Sequence, residues 1–159
     1  DLPLITKVAM TGKPVIISTG MASLAEIDDA VRTCKAAGND QIVLLKCTST
    51  YPATPENTNI CTIPVMRESF GVAVGLSDHT MGTGVSVAAV GLGAVLIEKH
   101  FTLARADGGV DSTFSMEPAE FLRLREEADR AWQAIGQVTF GGTKAEENSR
   151  AFRDRKSVV

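Results

Sequence analysis

Short apolar runs alternate with helix-like patterns along the chain. Four mostly aliphatic runs occupy positions 14–18, 41–48, 72–77 and 94–99. After each run, a polar loop leads into a segment with apolar residues at helical spacing, at positions 23–37, 62–70, 83–92 and 117–135. Repeated strand-helix units of this kind predict an α/β fold with a parallel sheet.

The first of these helices has boundary signals at both ends. Ser23 is followed three positions later by Glu26, which is the pattern of a capping box. Gly38-Asn39 supplies a stop signal at the other end. The sequence therefore predicts a helix that begins at Ser23 and ends before Gly38.

The number of strands limits the architecture. An eight-stranded barrel typically needs about 250 residues, and this chain has 159. Four strand-helix units are compatible with an open doubly wound sheet or with half of a barrel. Half of a barrel is favoured, because three of the four strands end in a chemically useful residue and no glycine-rich dinucleotide motif follows the first strand.

Composition excludes several classes of protein. Sixteen Lys and Arg against 19 Asp and Glu give a net charge of -3, which argues against nucleic-acid and anionic-membrane partners. Glycines and a serine interrupt the longest apolar stretch, at 81–97, and no signal-peptide pattern precedes it. None of the three cysteines belongs to a CxxC pair, so we expect a reduced, cytoplasmic protein without disulfides or a thiolate zinc site.

The only two histidines each follow a predicted strand. His79 comes after the third strand and His100 after the fourth, and strand alternation places them on the same side as Ser77 and Glu98. The carboxyl ends of neighbouring parallel strands meet at one edge, so the two imidazoles can converge there. A pair of imidazoles suits a borderline divalent cation such as Mn²⁺, Fe²⁺, Co²⁺ or Zn²⁺. Ordinary hydrogen bonding by each histidine is the competing interpretation.

Other polar residues end the first three strands. Ser18 and Ser77 precede turns into helices, where hydroxyls and free backbone N–H groups can hold a phosphate or simply cap the helix. Lys46, Thr48, Ser49 and Tyr51 form a polar cluster at the end of the second strand. Its lysine could neutralise a phosphate or a carboxylate, or could extend to solvent.

Two aspartates require separate interpretations. Asp111 lies in a glycine-containing loop after the fourth strand, where its carboxylate could bind sugar hydroxyls or remain solvated. Asp78 is adjacent to His79, but alternation directs it to the opposite side, toward the covering helices. We expect Asp78 to act as the N-cap of the following helix.

Four stretches together resemble the sialic acid synthase family. They are residues 46–52 (KCTSTYP), 75–80 (GLSDHT), 97–101 (IEKHF) and 108–116 (GGVDSTFSM). The resemblance covers nearly the whole chain, and the spacing of the two histidines matches the metal-binding pair of the family. Lys46 and the segment 110–116 are most like pseudaminic acid synthases, while N-acetylneuraminate and legionaminate synthases remain alternatives.

The resemblance implies the C-terminal half of a (β/α)₈ TIM barrel, with four parallel βα units in residues 1–140. Residues 141–159 would be a polar tail or linker toward a missing antifreeze-like domain. The reaction implied is condensation of phosphoenolpyruvate with an acetamido sugar, 2,4-diacetamido-2,4,6-trideoxy-altrose. It gives a nonulosonic acid and phosphate through C–O cleavage. The resemblance also implies a homodimer of the full-length protein.

The resemblance assigns roles residue by residue. It implies a divalent metal, Mn²⁺ first and Mg²⁺ or Co²⁺ as alternatives, held by His79 and His100, which are also catalytic. The other implied catalytic residues are Tyr51 and Asp111, which would position the sugar. The implied substrate-binding residues are Ser18 and Ser77, which would bind the phosphate group, Ser49 nearby, and Lys46 and Glu98.

Two other functions compete with this one. The first is a different metal-dependent barrel lyase or aldolase that acts on a phosphorylated keto acid. It would share the metal and phosphate chemistry but not the sugar loop around Asp111. The second is a non-catalytic half-barrel that serves as an assembly or sugar-binding module, since its two unpaired strand edges would invite pairing with another chain.

Overall fold

A computed structural model describes residues 1–155 as one helix followed by four strand-helix units. Short 3₁₀ helices lie at Pro55–Asn57, Arg105–Asp107 and Lys144–Arg155. The remaining elements are α1 (Leu2–Ala9), β1 (Val15–Ser18), α2 (Leu24–Ala36), β2 (Ile42–Cys47), α3 (Thr62–Phe70), β3 (Ala73–Asp78), α4 (Gly84–Gly91), β4 (Ile97–Lys99) and α5 (Pro118–Ile135).

The four strands form one parallel sheet in the sequential order β1-β2-β3-β4. Each strand is joined to the next by a crossover helix, as predicted. A doubly wound sheet reverses direction at a switch point, whereas a barrel adds its strands in sequence. The observed order is therefore that of half a barrel.

The hydrophobic core lies between the helices and one face of the sheet. In-register partners of a parallel sheet point to the same side, and Leu44 is paired with Val74 on that face. Both side chains are completely buried against Cys34 of α2 and Ile63 of α3. The opposite, inner face carries Ile16, which is 52% exposed.

The sequence located most elements to within one or two residues. The capping box predicted at Ser23 is present, and α2 ends at Ala36, just before Gly38, whose φ is +82°. Helix α1, whose N-terminus is capped by the Asp1 side chain, was not predicted. In the part of the chain that the structure describes, no helix combines the length and apolar character needed to cross a membrane.

Replacing Ser23 with alanine is expected to lower the free energy of unfolding by about 1 kcal/mol. The Ser23 hydroxyl accepts the Glu26 backbone N–H at 3.4 Å, while the Glu26 carboxylate accepts the Ser23 N–H at 2.7 Å. The Ser23 N–H and the Ser23 hydroxyl, which both donate to the Glu26 carboxylate, also hold the pKa of Glu26 below its ordinary value. Urea titration of the variant and of Ser69→Ala, an exposed serine within α3, tests this. Equal stability losses would contradict the role of the cap.

Candidate active site

Two loops fold over the carboxyl ends of β3 and β4. The loop after β2 returns so that the backbone N–H of Ala53 donates to the carbonyl of His79 at 2.9 Å. The loop after β4 does the same at His100, whose carbonyl accepts the N–H of Met116 at 2.8 Å. Each histidine is thus fixed on its strand end by backbone hydrogen bonding to a loop.

The His79 ring is buried and oriented by the backbone. Only 7% of the residue is exposed, and its Nδ1 lies 2.8 Å from the carbonyl oxygen of Thr48. A carbonyl only accepts hydrogen bonds, so Nδ1 must be the protonated nitrogen. The Nε2 lone pair of His79 is consequently free for a cation or a proton.

His100 lies beside His79, as predicted from the strand ends. The two ring centroids are 5.2 Å apart and the ring planes are inclined by 72°. Nδ1 of His100 is 3.5 Å from a carboxylate oxygen of Asp111. Asp111 lies in the loop after β4, and its side chain is half-exposed. The structure therefore brings together the three residues His79, His100 and Asp111.

Aromatic rings form a wall against the two imidazoles. Tyr51 lies with its ring centroid 4.3 Å from that of His79 and 5.8 Å from that of His100. Phe114 packs against His100, with 5.0 Å between the two ring centroids, and is almost completely buried. Sequence reasoning placed Tyr51 in the site but missed Phe114, although it belongs to the same loop segment as Asp111.

Ser77 and Glu98 lie on the inner face, one alternation step before the histidines. They are register partners on β3 and β4, and the Ser77 hydroxyl donates to the Glu98 carboxylate at 2.7 Å. The serine is buried, whereas the glutamate is exposed on the inner face. This pair adds a hydroxyl and a carboxylate to the surface that leads up to the imidazoles.

Ser18 and Ser49 lie at the same edge of the sheet, but on β1 and after β2. Both are exposed. The Ser49 hydroxyl is 4.0 Å from the thiol of Cys47, and a Cβ at Gly20 would come within 3.2 Å of that hydroxyl. These hydroxyls make no hydrogen bond to the histidines, so the structure groups them separately along the edge.

Lys46 points away from the histidines. It is the register partner of Leu76, a core residue, and lines a cavity with Ile27 of α2 and Met66 of α3 on the helix-covered side. Partial burial lowers the pKa of its ammonium group. Its Nζ donates to the Cys47 carbonyl at 2.8 Å. A direct role of Lys46 in substrate binding stays a prediction, and its position on the helix-covered face argues against that role.

Asp78 also faces the helices, as alternation predicted. It is not the N-cap of α4, because that position belongs to Thr83, and the expectation of an N-cap was wrong. The Asp78 carboxylate instead accepts the hydroxyl of Ser86, inside the first turn of α4, at 2.5 Å. It also forms an ion pair with Lys99 at 2.9 Å.

Arg105 anchors the loop that carries Asp111. Its Nε donates to the carbonyl of Ser115 at 3.0 Å, and its guanidinium contacts the carboxylates of Glu117 and Glu120 at the start of α5. The Glu117 backbone N–H and this guanidinium together lower the pKa of Glu120. The loop is thereby attached to the first turn of α5.

The donor set suits a metal held partly by other ligands. Within residues 1–155, His, Cys, Asp and Glu side chains do not form a cluster of three or more with the arrangement of a metal site. Two imidazoles with free Nε2 positions, supplemented by water or substrate oxygens, match the preference of borderline divalent cations. His79 and His100 therefore fit such an ion as an open site rather than a closed one.

Comparison of the chain with known proteins adds the family context. The model of the NeuB family matches residues 1–140. A pseudaminic acid synthase of Helicobacter pylori is 42% identical over 137 residues, covering 86% of this chain and 40% of the relative. An N,N'-diacetyllegionaminic acid synthase of Campylobacter jejuni is 40% identical over 161 residues, covering 100% of this chain and 48% of the relative.

Solved structures agree with the fold. The N-acetylneuraminic acid synthetase of Leptospira borgpetersenii superimposes with a TM-score of 0.85 and 32% identity, over 96% of this chain and 53% of that one. A phospho-2-dehydro-3-deoxyheptonate aldolase of Thermotoga maritima shares the fold at 21% identity with a TM-score of 0.68. Half of a (β/α)₈ barrel is thus confirmed, and the chain spans about half the length of these proteins.

Proposed function

The chain belongs to the NeuB family of nonulosonic acid synthases, and from that premise we propose that it supplies the metal-binding half of a pseudaminic acid synthase barrel. The observation that carries the proposal is the convergence of His79 and His100 on adjacent strand ends. The Nδ1 atoms face the Thr48 carbonyl and the Asp111 carboxylate respectively, so Nε2 of both rings is left for a ligand.

The proposed reaction joins phosphoenolpyruvate to an acetamido sugar. C3 of phosphoenolpyruvate forms a bond to the aldehyde carbon of the open-chain sugar while the C=O π bond opens to an alkoxide, and positive charge develops at C2. Water adds at C2 and one of its protons passes to the alkoxide. The bond between C2 and the phosphate oxygen then breaks as the C2 hydroxyl becomes the ketone, and its proton leaves with the phosphate. The products are a nonulosonic acid and inorganic phosphate.

A divalent ion, Mn²⁺ in the first place, would act as a Lewis acid that polarises the sugar aldehyde. His79 and His100 would hold it. The ring centroids of these two histidines are 5.2 Å apart, which is close enough for both imidazoles to reach one ion.

The other site residues bind and orient the substrates in this proposal. Ser18 and Ser49 would donate to phosphate oxygens along the carboxyl edge of the sheet. Ser77 would join them only when its hydroxyl turns away from the Glu98 carboxylate to which it donates in this structure. Tyr51 supplies a half-exposed aromatic face beside the imidazoles. Glu98 is held by the Ser77 hydroxyl and presents its carboxylate to the inner face.

The exposed inner face supports assembly with a further half of a barrel. Ile16 on that face is half-exposed, and β1 and β4 each have one neighbour in the described sheet. A complete barrel would cover both features. We propose that the activity belongs to the full-length protein, as a homodimer in the cytoplasm.

Replacing Asp111 with alanine is expected to reduce use of the sugar. Its carboxylate lies 3.5 Å from His100 in a loop over the site, where it can accept hydrogen bonds from sugar hydroxyls. We expect kcat/KM for the sugar to fall about 10- to 100-fold, because hydrogen bonds to a charged group contribute about 1.5–3 kcal/mol. Steady-state kinetics with the sugar varied measures this effect.

Asp107→Ala is the matched control for this prediction, since Asp107 is an exposed carboxylate in the same loop. The control is expected to leave kcat/KM for the sugar unchanged. Unchanged kinetics of the Asp111→Ala protein would refute the assigned role. Equal losses of kcat/KM in both variants would mean that the effect comes from the charge of the loop in general and not from Asp111.

Identification of the product tests the proposed function. The full-length protein is supplied with phosphoenolpyruvate and Mn²⁺, and with either the diacetamido trideoxy altrose or N-acetylmannosamine. Mass spectrometry is expected to find the condensed acid from the altrose sugar. The sugar precursor of diacetyllegionaminic acid is tested in parallel as a third substrate. Product from N-acetylmannosamine alone would change the assignment to an N-acetylneuraminate synthase. Condensation with none of the three would contradict the synthase proposal.

A further inference from the structure

A buried ion pair lies directly behind the two histidines. Asp78 immediately precedes His79 and Lys99 immediately precedes His100, so alternation directs both charged side chains to the opposite face of the sheet. The side chains are 0% and 2% exposed, and Nζ of Lys99 lies 2.9 Å from a carboxylate oxygen of Asp78. The pair is thus placed behind the same two strand ends that present the imidazoles.

Lys99 is bonded to the residues on both sides of His79. Its Nζ donates to the Asp78 carboxylate and, at 2.7 Å, to the carbonyl oxygen of Thr80. The backbone of Lys99 is covalently joined to that of His100. One side chain therefore ties the backbone next to His100 to the side chain of the residue before His79 and to the backbone of the residue after it.

The carboxylate of Asp78 has partners for both of its oxygens. Oδ1 accepts the backbone N–H and the hydroxyl of Thr80, each at 2.8 Å. Oδ2 accepts the Ser86 hydroxyl at 2.5 Å as well as the ammonium of Lys99. This network fixes the orientation of the carboxylate and leaves its charge fully compensated.

The backbone pairing between β4 and β3 is short. The strand has three residues, and its register with β3 consists of three residue pairs, the last of which is Asp78 with Lys99. The ion pair stands at the final register position before the histidines, where a shift of β4 would alter their separation most directly.

Fold stability alone does not explain why ions occupy this position. Burial of two charges has a large desolvation cost, and well-packed apolar residues often stabilise a protein as well or better. A directional, hydrogen-bonded pair does specify one register between two strands. We infer that Asp78 and Lys99 are positioning residues that set the relative placement of His79 and His100 for metal binding, an inference that rests on the proposed function.

Metal affinity separates this role from a purely structural one. Mn²⁺ binding to the full-length protein is measured by electron paramagnetic resonance, which detects the free ion without requiring turnover. The test variant is Asp78→Asn/Lys99→Met, which removes both charges and the bonds from Lys99 while keeping similar side-chain volumes. We expect a folded protein whose Kd for Mn²⁺ is at least tenfold higher than that of the unsubstituted protein.

Two controls isolate the cross-strand link. Ser86→Ala removes a hydrogen bond from the same carboxylate but no bond to β4, and Ile63→Ala destabilises the core at α3. Both variants are expected to lower the Tm and to keep the Kd for Mn²⁺ within twofold. Lys99→Arg, which keeps the charge, is expected to recover part of the affinity lost by the double variant.

The outcomes distinguish this inference from the proposed function. If the unsubstituted protein does not bind Mn²⁺, the metal site itself is wrong. If it binds and the folded double variant binds equally well, the positioning role is overturned and the site remains. Should the double variant fail to fold, Lys99→Gln is measured in its place, because its shorter, uncharged side chain withdraws the donor from Asp78 and Thr80. An unchanged Kd in folded Lys99→Gln then overturns the inference, and a raised Kd supports it.

Discussion

Replacement of either His79 or His100 by alanine in the full-length protein is expected to reduce turnover on the order of a thousandfold or more. The physical reason is that each ring supplies one of two imidazole donors to an open site that already depends on water and substrate oxygens. One remaining imidazole cannot hold the ion at working concentrations. Phosphate release from phosphoenolpyruvate measures turnover, and Mn²⁺ binding measures the site directly.

The two histidine variants need a control for general damage. Asp107→Ala, in an exposed stretch of the loop after β4, is expected to keep full turnover and Mn²⁺ affinity. Circular dichroism checks that the histidine variants remain folded. Wild-type phosphate release from a folded His79→Ala or His100→Ala protein would refute a metal site at these histidines.

Replacement of Asp78 by alanine is expected to lower the free energy of unfolding by about 3–5 kcal/mol. The substitution leaves the ammonium of Lys99, whose side chain is 2% exposed, without its counter-ion in the core. It also removes the acceptor of the Ser86 and Thr80 hydroxyls. Urea unfolding of the variant, followed by circular dichroism, gives the loss.

A double variant distinguishes an orphaned charge from simple loss of packing. In Asp78→Asn/Lys99→Met neither charge remains, so most of the stability is expected to return. A loss of less than about 1 kcal/mol in Asp78→Ala would mean that Lys99 reaches water easily. That result would contradict the buried environment described for this pair.

The fold was largely predictable because its elements are determined locally. The apolar run of β2 and the capping box of Ser23 each specify a short segment from neighbouring residues alone. Helix α1 escaped prediction, although the Asp1 side chain caps it and Pro3 stands in its first turn. Its buried residue, Ala9, gains its contacts from distant parts of the core.

The convergence of the histidines was predictable from topology, whereas their orientation was not. Neighbouring parallel strands must end at one edge, so His79 and His100 were expected to be close, and alternation correctly sent Asp78 to the other face. The backbone hydrogen bond from Ala53 to the His79 carbonyl depends on how the long loop after β2 returns. No local sequence pattern encodes that return, nor the packing of Phe114 against His100.

Lys46 illustrates why position at a strand end is insufficient to assign a role. Successive side chains of a strand point to opposite faces of the sheet, so Lys46 lies on the face opposite to that of its neighbour Cys47. Register pairing with Leu76 places the Lys46 side chain among the helices, where Thr48 and the Cys47 carbonyl receive its hydrogen bonds. From the sequence, the end of β2 was known only to within one residue. An error of one residue is enough to assign a side chain to the wrong face of the sheet.

The proposed function requires the two strand-end imidazoles to hold the metal of a condensing synthase. This requirement is tested by phosphate release from phosphoenolpyruvate by the full-length protein, stripped of metal with a chelator and then given Mn²⁺, with the diacetamido altrose sugar present or omitted. We expect release only when both Mn²⁺ and the sugar are added, and no release from His79→Ala. Release that is indifferent to Mn²⁺, or to the sugar, would refute a metal-dependent condensation at these histidines.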